Sequence, residues 1–172
     1  MSGHYATLTR NTVISLLPNC DVYVTDWKNA RDVPFSAGKF DIEDFTKYLV
    51  DFFRDLSPRL NVMAVCQPAP LALAAAAITS ERFPEFNPKS LTLIGGPIDP
   101  DANPTDVTDF GHRTSMEALE STVTMPVGLN YKGVGREVYP GAIQLASFMA
   151  MNQETHSKAF IDQIEKEAVG LS

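Results

Sequence analysis

The sequence predicts an α/β fold built on a parallel sheet. Three observations lead to this prediction: helical and strand-like apolar runs alternate through the first hundred residues, the strand-like runs are short, and helix-length segments separate them. Strands joined by helical crossovers run parallel, with helices on both faces of the sheet. Ligands of such folds bind at the carboxyl ends of the strands.

The helices and strands are predicted from the spacing of apolar residues and from the residues that stop each run. Pro18 ends the first helix and Pro58 the second, because proline disrupts a helix interior. Asp41 is a good helix cap, so the second helix begins directly after it. The predicted elements are a helix over 5–17, a strand over 21–26, a helix from 42 to near 58, a strand over 61–65, a helix over 68–82 and a strand over 90–94.

The composition of the sequence changes after Asp99, where a linker rich in proline and aspartate begins. Further helical stretches are predicted over 115–123, 143–151 and 154–168. We read Gly133 and Gly135 as a flexible join and not as a phosphate loop, because no Lys-Ser or Lys-Thr follows them. We therefore expect a sheet-bearing core in residues 1–100 and a helical cap in residues 101–172.

Charge and composition exclude several classes of function. The 172 residues carry a formal net charge of -7, which would repel nucleic acid. No apolar run approaches the roughly 20 residues of a membrane span, and the N-terminus lacks a signal pattern, so we predict a cytoplasmic protein. Cys20 and Cys66 have no C-x-x-C or histidine-rich spacing, which argues against a disulfide framework and a metal site. No cofactor is expected.

Cys66 is the candidate nucleophile. It follows the apolar strand Val62 to Val65 directly and precedes a helix that Pro68 begins. A strand that turns sharply into a helix lifts the side chain at the corner above the sheet, where it can reach a substrate carbonyl. The alternative is a small buried core thiol, and periodicity alone favours the two interpretations about equally.

Several separated strings closely resemble the intracellular polyhydroxyalkanoate depolymerases, in the same order and over nearly the whole chain. The strings are Met1 to Leu8, Tyr23 to Trp27, Asn29 to Arg31, Ala64 to Pro68, Gly95 to Asp99 and Tyr139 to Gly141. The resemblance implies a partial α/β-hydrolase fold and hydrolysis of ester bonds in stored poly(3-hydroxybutyrate) or its oligomers. It also implies association with the polymer granule and a cysteine nucleophile in the box that Ala64 to Pro68 matches.

The resemblance assigns roles to individual residues. Cys66 would form a thioester intermediate, and its place at a helix N-terminus would favour the thiolate. The backbone N–H of Gln67 would belong to the oxyanion hole. A second oxyanion donor would come from Ser2 or Gly3, although an ordinary helix start explains Ser2 as well.

Four further positions are candidates for the substrate pocket. His4 would border the pocket from the oxyanion side, and Asp26 and Trp27 would shape it from the end of the first strand. Asp99 follows the last predicted strand, with a turn or capping role as the alternative. A packed tryptophan with its N–H satisfied is the alternative for Trp27. We assign no histidine as the catalytic base, because His112 and His156 fall in the expected cap as solvated residues.

The resemblance also implies parts that this sequence lacks. The triad acid and histidine of the family follow the cap, so we expect an internal piece of a longer protein without them. In that fold the strands over 21–26 and 61–65 would be the fourth and fifth. The third strand, which would lie between them, is absent from this sequence. We therefore expect the chain to fold poorly alone. A polyhydroxyalkanoate synthase-like acyltransferase is a rival, disfavoured by Ala64 and Pro68 where synthases carry glycines, and an inactive granule-binding fragment is another.

Overall fold

A computed structural model describes residues 9–144 and 146 of the chain. The chain separates into two compact units. One unit is Gly38–Ser115, and the other combines the residues up to Ala37 with those from Met116 onward. The division into a core of residues 1–100 and a cap of residues 101–172 remains a proposal.

The unit Gly38–Ser115 contains the parallel sheet. Its elements are α2 (Ile42–Leu56), β1 (Asn61–Val65), α3 (Pro68–Arg82), β2 (Ser90–Ile94) and α4 (Asp106–Arg113), while α1 (Arg10–Leu16) lies in the other unit. The first four confirm the elements predicted for this region. β1 and β2 pair in parallel, from Asn61 opposite Ser90 to Val65 opposite Ile94. The observed class is a mixed helix and strand fold with a small parallel sheet.

Alanines bring α3 close to the sheet and to α2. Ala69, Ala72 and Ala75 are buried at one face of α3, where their small side chains allow neighbouring backbones to approach. Ala72 packs with Ala64 of β1, and Ala75 packs with Phe53 of α2. The core of this unit therefore lies in two adjoining clusters along α3.

The start of α2 is fixed by a capping box. Asp41 accepts the backbone N–H groups of Glu43 and Asp44, and the Asp44 carboxylate accepts the N–H of Asp41, all at 3.1 Å. These bonds satisfy amides that have no partner inside the helix. The predicted cap at Asp41 is confirmed.

The other unit contains α1 (Arg10–Leu16), α5 (Met116–Val123), and the two-residue strands β3 (Met125–Pro126) and β4 (Glu137–Val138). β3 and β4 pair in antiparallel fashion, which the sequence did not predict. The prediction of a helix over 115–123 is confirmed by α5. Residues 141–144 and 146 are helical, and the rest of the predicted helices over 143–151 and 154–168 lies outside the described residues.

The predicted strand over 21–26 is wrong. Residues 21–29 have no regular secondary structure. Val22, Tyr23 and Val24 suit a strand, but β-propensity expresses packing against neighbours more than an intrinsic backbone preference. Among the described residues no strand pairs with Val22 to Val24, and the segment is irregular. The same correction applies to the strand end from which Asp26 and Trp27 are expected to shape the pocket.

The loop between β3 and β4 is packed, so the interpretation of Gly133 as a flexible join is also wrong. Gly133 is buried and donates its N–H to the Arg31 carbonyl oxygen at 2.8 Å. A Cβ atom at this position would lie 2.6 Å from that oxygen. Arg136 adds two bonds to the same segment, to the carbonyl oxygens of Val33 at 2.8 Å and Pro34 at 2.6 Å. This loop is therefore held against residues 31–34.

Among the described residues, none of the helices has both the length and the apolar character that crossing a membrane requires.

Candidate functional site

Cys66 stands at the corner between β1 and α3. β1 ends at Val65 and α3 begins at Pro68, so only Cys66 and Gln67 join them. Cys66 has a φ of 66°, and no other non-glycine residue of the described part has a positive φ. The left-handed conformation costs an ordinary residue roughly 1–2 kcal/mol. Such strain persists where the surrounding structure enforces it, and it clusters at functional sites.

Two backbone hydrogen bonds hold the corner. The Cys66 N–H donates to the Ile94 carbonyl oxygen at 2.8 Å, and the Cys66 carbonyl oxygen accepts the Ala69 N–H at 3.0 Å. The first bond ties the turn to β2, and the second ties it to the first turn of α3. The left-handed residue is therefore fixed from both sides.

The side of the turn that carries the thiol is open. Cys66 is a free and exposed cysteine. The alternative interpretation of Cys66 as a buried core thiol is therefore wrong. An exposed thiol at the carboxyl end of a strand and the N-terminal end of a helix can approach a carbonyl carbon.

The amide groups beside Cys66 are few. Gln67 has helical dihedral angles, φ -49° and ψ -36°, and its side chain makes no capping hydrogen bond. Pro68 and Pro70 carry no N–H, and the Ala69 N–H is taken by Cys66. Gln67 lies at the position where helices leave their first amides without a helical partner. Its N–H is thus the nearest amide after Cys66 that could meet a developing negative charge.

Asp99 has a local structural role. Its carboxylate accepts the N–H groups of Asp101 and Ala102, both at 3.2 Å. These bonds form the turn that leads away from β2, in agreement with the alternative given for this residue. A place for Asp99 in a substrate pocket remains a prediction.

Asp101 and His112 form a pair that sequence reasoning missed. The His112 Nε2 atom lies 2.8 Å from the Asp101 carboxylate, and both side chains are exposed. Eleven residues separate the two, across a turn and most of α4. No short motif carries such a spacing, and only the fold of this segment brings them together. His112 is thus solvated, as expected, and also paired.

The other predicted pocket residues are Ser2, Gly3, His4, Asp26 and Trp27. Ser2, Gly3 and His4 lie outside the described residues. Asp26 is exposed and Trp27 half-buried, and both belong to the unit that does not contain Cys66. Their pocket roles remain predictions. Within residues 9–144, no group of three or more His, Cys, Asp or Glu side chains could hold a metal ion.

The corner at Cys66 and the small parallel sheet define an α/β protein with an exposed thiol at the carboxyl edge of its strands. Residues 95–171 match the model of the family described as PHB de-polymerase C-terminus. This match supports the resemblance to the PHB depolymerases that was read from the sequence. The matched residues begin directly after β2 and include Asp99, Asp101 and His112, while Cys66 precedes them. No curated protein and no solved structure matches the chain significantly.

Proposed function

We propose that the chain takes part in hydrolysis of ester bonds in poly(3-hydroxybutyrate) or its oligomers, with Cys66 as the nucleophile. The observation that carries this proposal is the left-handed turn that presents an exposed Cys66 between β1 and α3. The match to the family described as PHB de-polymerase C-terminus supports the class of reaction and the polyester substrate of this proposal. The parallel pair of strands joined by α3 is compatible with the central part of an α/β-hydrolase fold, which belongs to the same proposal.

The chemistry proceeds in two balanced steps. The Cys66 sulfur attacks the ester carbonyl carbon, a carbon–sulfur bond forms, and the bond to the alkoxy oxygen breaks. The proton of the thiol ends on the released hydroxyl group. Water then attacks the thioester, a carboxylic acid is released, and the thiol is restored. Hydrogen-bond donors near the carbonyl oxygen stabilise the negative charge that develops in both steps.

Gln67 is proposed to supply one of these donors through its backbone N–H. The residue after a nucleophile on a strand-to-helix turn directs its amide toward the tetrahedral intermediate. Because Pro68 and Pro70 in the first turn of α3 have no N–H, few other amides there could bind the same carbonyl oxygen. A cytoplasmic location at the surface of the polymer granule completes the proposal.

The test compares variants of the two free cysteines. Cys66→Ala should abolish the release of soluble 3-hydroxybutyrate from amorphous granules or from a short oligomer. Cys20→Ala is the matched control, because Cys20 is also free and exposed. It should leave the release unchanged. Hydrolysis at the original rate by the Cys66→Ala variant would refute the proposal, and a wild-type chain that sediments with granules but releases nothing would indicate a granule-binding module instead.

A further inference from the structure

Each of the two neighbouring strands of the parallel sheet is followed directly by a residue in the left-handed conformation. Cys66 follows β1 with a φ of 66°, and Gly95 follows β2 with a φ of 57°. Val65 and Ile94 are partners in the sheet, so the two left-handed residues occupy corresponding positions at its carboxyl edge. The segments that follow β1 and β2 therefore turn away from the sheet at the same level.

The turn after β2 lies very close to the turn that carries Cys66. A Cβ atom built on Gly96 would lie 2.2 Å from the Ala69 Cβ and 2.8 Å from the Cys66 carbonyl oxygen. Side-chain carbons do not approach each other to such distances. The backbone at Gly96 thus fills the space beside the first turn of α3, and it does so because it has no side chain.

The first turn of α3 has no room to withdraw. Ala69 is fully buried, with a relative exposure of 0%, and Ala72 behind it is 3% exposed. These residues pack with Ala64 of β1 and with the apolar side chains of Leu91 and Leu93 of β2. Close-packed interiors respond to an added methyl group by shifting backbone or by adopting strained rotamers. A methyl group on Gly96 would therefore displace the segment from Cys66 to Ala69.

We infer that Gly96 is a positioning residue that holds Cys66 in its reactive geometry. The close approach of the Gly96 backbone to the Cys66 carbonyl oxygen and to Ala69 fixes the peptide unit that follows the nucleophile, which includes the Gln67 N–H. The inference rests on the proposed function for its catalytic meaning. Its structural content, the control of the Cys66 corner by Gly96, is measurable without hydrolysis.

The experiment measures alkylation of the two cysteines by iodoacetamide in the full chain. The rates at Cys66 and Cys20 are followed by mass spectrometry of the peptides that contain them. In the Gly96→Ala variant the rate at Cys66 should fall several-fold while the rate at Cys20 is unchanged. Gly111→Ala is the matched control in the same unit, because nothing lies within 4 Å of a Cβ atom there. It should leave both rates unchanged.

Rescue distinguishes positioning from general damage. In the Ala69→Gly/Gly96→Ala double variant the closest of the two clashes is absent, so the ratio of the two rates should return toward the wild-type value. The double variant also decides the outcome if Gly96→Ala alone does not fold. A wild-type ratio in the single variant would overturn the inference, and so would a double variant that keeps the low ratio or fails to fold.

Failure of this inference and failure of the proposed function remain distinguishable. Hydrolysis that survives in Cys66→Ala would refute the proposed function and leave the effect of Gly96 on alkylation intact. Conversely, an unchanged alkylation ratio in Gly96→Ala would refute the positioning role while Cys66→Ala still abolishes hydrolysis.

Discussion

The backbone N–H of Cys66 donates to the carbonyl oxygen of Ile94 at 2.8 Å. This bond continues the parallel ladder of β1 and β2 one residue past the last strand pair, Val65 and Ile94. The backbone then adopts a positive φ at Cys66 and enters α3. The position of the thiol is consequently set by the sheet and not by a free loop.

Replacing Cys66 by glycine should stabilise the fold while removing the thiol. Glycine adopts a positive φ without steric cost, whereas cysteine and alanine bear that cost at this position. We expect Cys66→Gly to have a free energy of unfolding up to about 1 kcal/mol higher than Cys66→Ala, measured by urea denaturation. Equal or lower stability of the glycine variant would contradict the strain assigned to this corner.

Cys66 should react with iodoacetamide faster than Cys20 at neutral pH in the unmodified chain. Cys66 precedes the N-terminus of α3, and helix N-termini present positive potential. Cys20 lies after the end of α1, and its N–H donates to the Leu16 carbonyl oxygen at 3.1 Å. Helix C-termini present negative potential. Equal rates in the folded chain would contradict the expected activation, with the urea-unfolded chain as the control in which the difference should vanish.

Gly133→Ala should destabilise the unit that contains β3 and β4. The added Cβ would lie 2.6 Å from the Arg31 carbonyl oxygen and 2.9 Å from that of Ala30, and backbone atoms cannot rotate away. A loss of roughly 1–3 kcal/mol is expected from such overpacking. Gly128→Ala in the same loop is the matched control, because nothing lies within 4 Å of a Cβ atom there. Equal thermal stability of the two variants would show that the close approach is absent in solution.

The stability of the chain should depend on Asp41 in acid. The Lys39 ammonium and the backbone N–H of Asp44 lower the pKa of the Asp41 carboxyl group to about 2. An unfolded aspartate has a pKa near 3.9. The stabilising contribution of this carboxylate is therefore complete above about pH 4 and is lost as the pH falls through about 2.

Asp41→Asn keeps an oxygen that can cap α2 but removes the titrating group. Urea denaturation between neutral pH and pH 2 should show a smaller loss of stability on acidification for this variant than for the wild type. An identical pH dependence of the two chains would refute the assignment. Glu81→Gln is a suitable control, because Glu81 is an exposed carboxylate on α3 away from this cap.

The region from β1 to β2 could be predicted from sequence because its local signals agree. The apolar strand 61–65, the proline at 68 and the alanine run that follows each indicate the same element bounds, and packing of α3 on the sheet supports them. Residues 21–26 were mispredicted because their β-branched and aromatic side chains indicate a strand only when a partner strand is present.

The contacts made by Gly96 and by His112 could not be predicted in the same way. Gly96 lies far from Cys66 in the sequence, and its close approach follows from the pairing of β1 with β2. The pairing of Asp101 with His112 depends on the turn at Asp99 and on α4. A glycine or a histidine in isolation gives no signal of such a role. The position of Cys66 could be predicted because the strand, the corner and the helix are contiguous.

The role of Cys66 as nucleophile is tested most directly by the search for an acyl group on Cys66 during turnover. The chain is mixed with a short 3-hydroxybutyrate oligomer, quenched in acid and analysed by peptide mass spectrometry. We predict a 3-hydroxyacyl adduct on the peptide that contains Cys66, removable by hydroxylamine and absent from Cys66→Ala. Release of 3-hydroxybutyrate without any adduct on that peptide, at a rate that Cys66→Ala does not change, would contradict it.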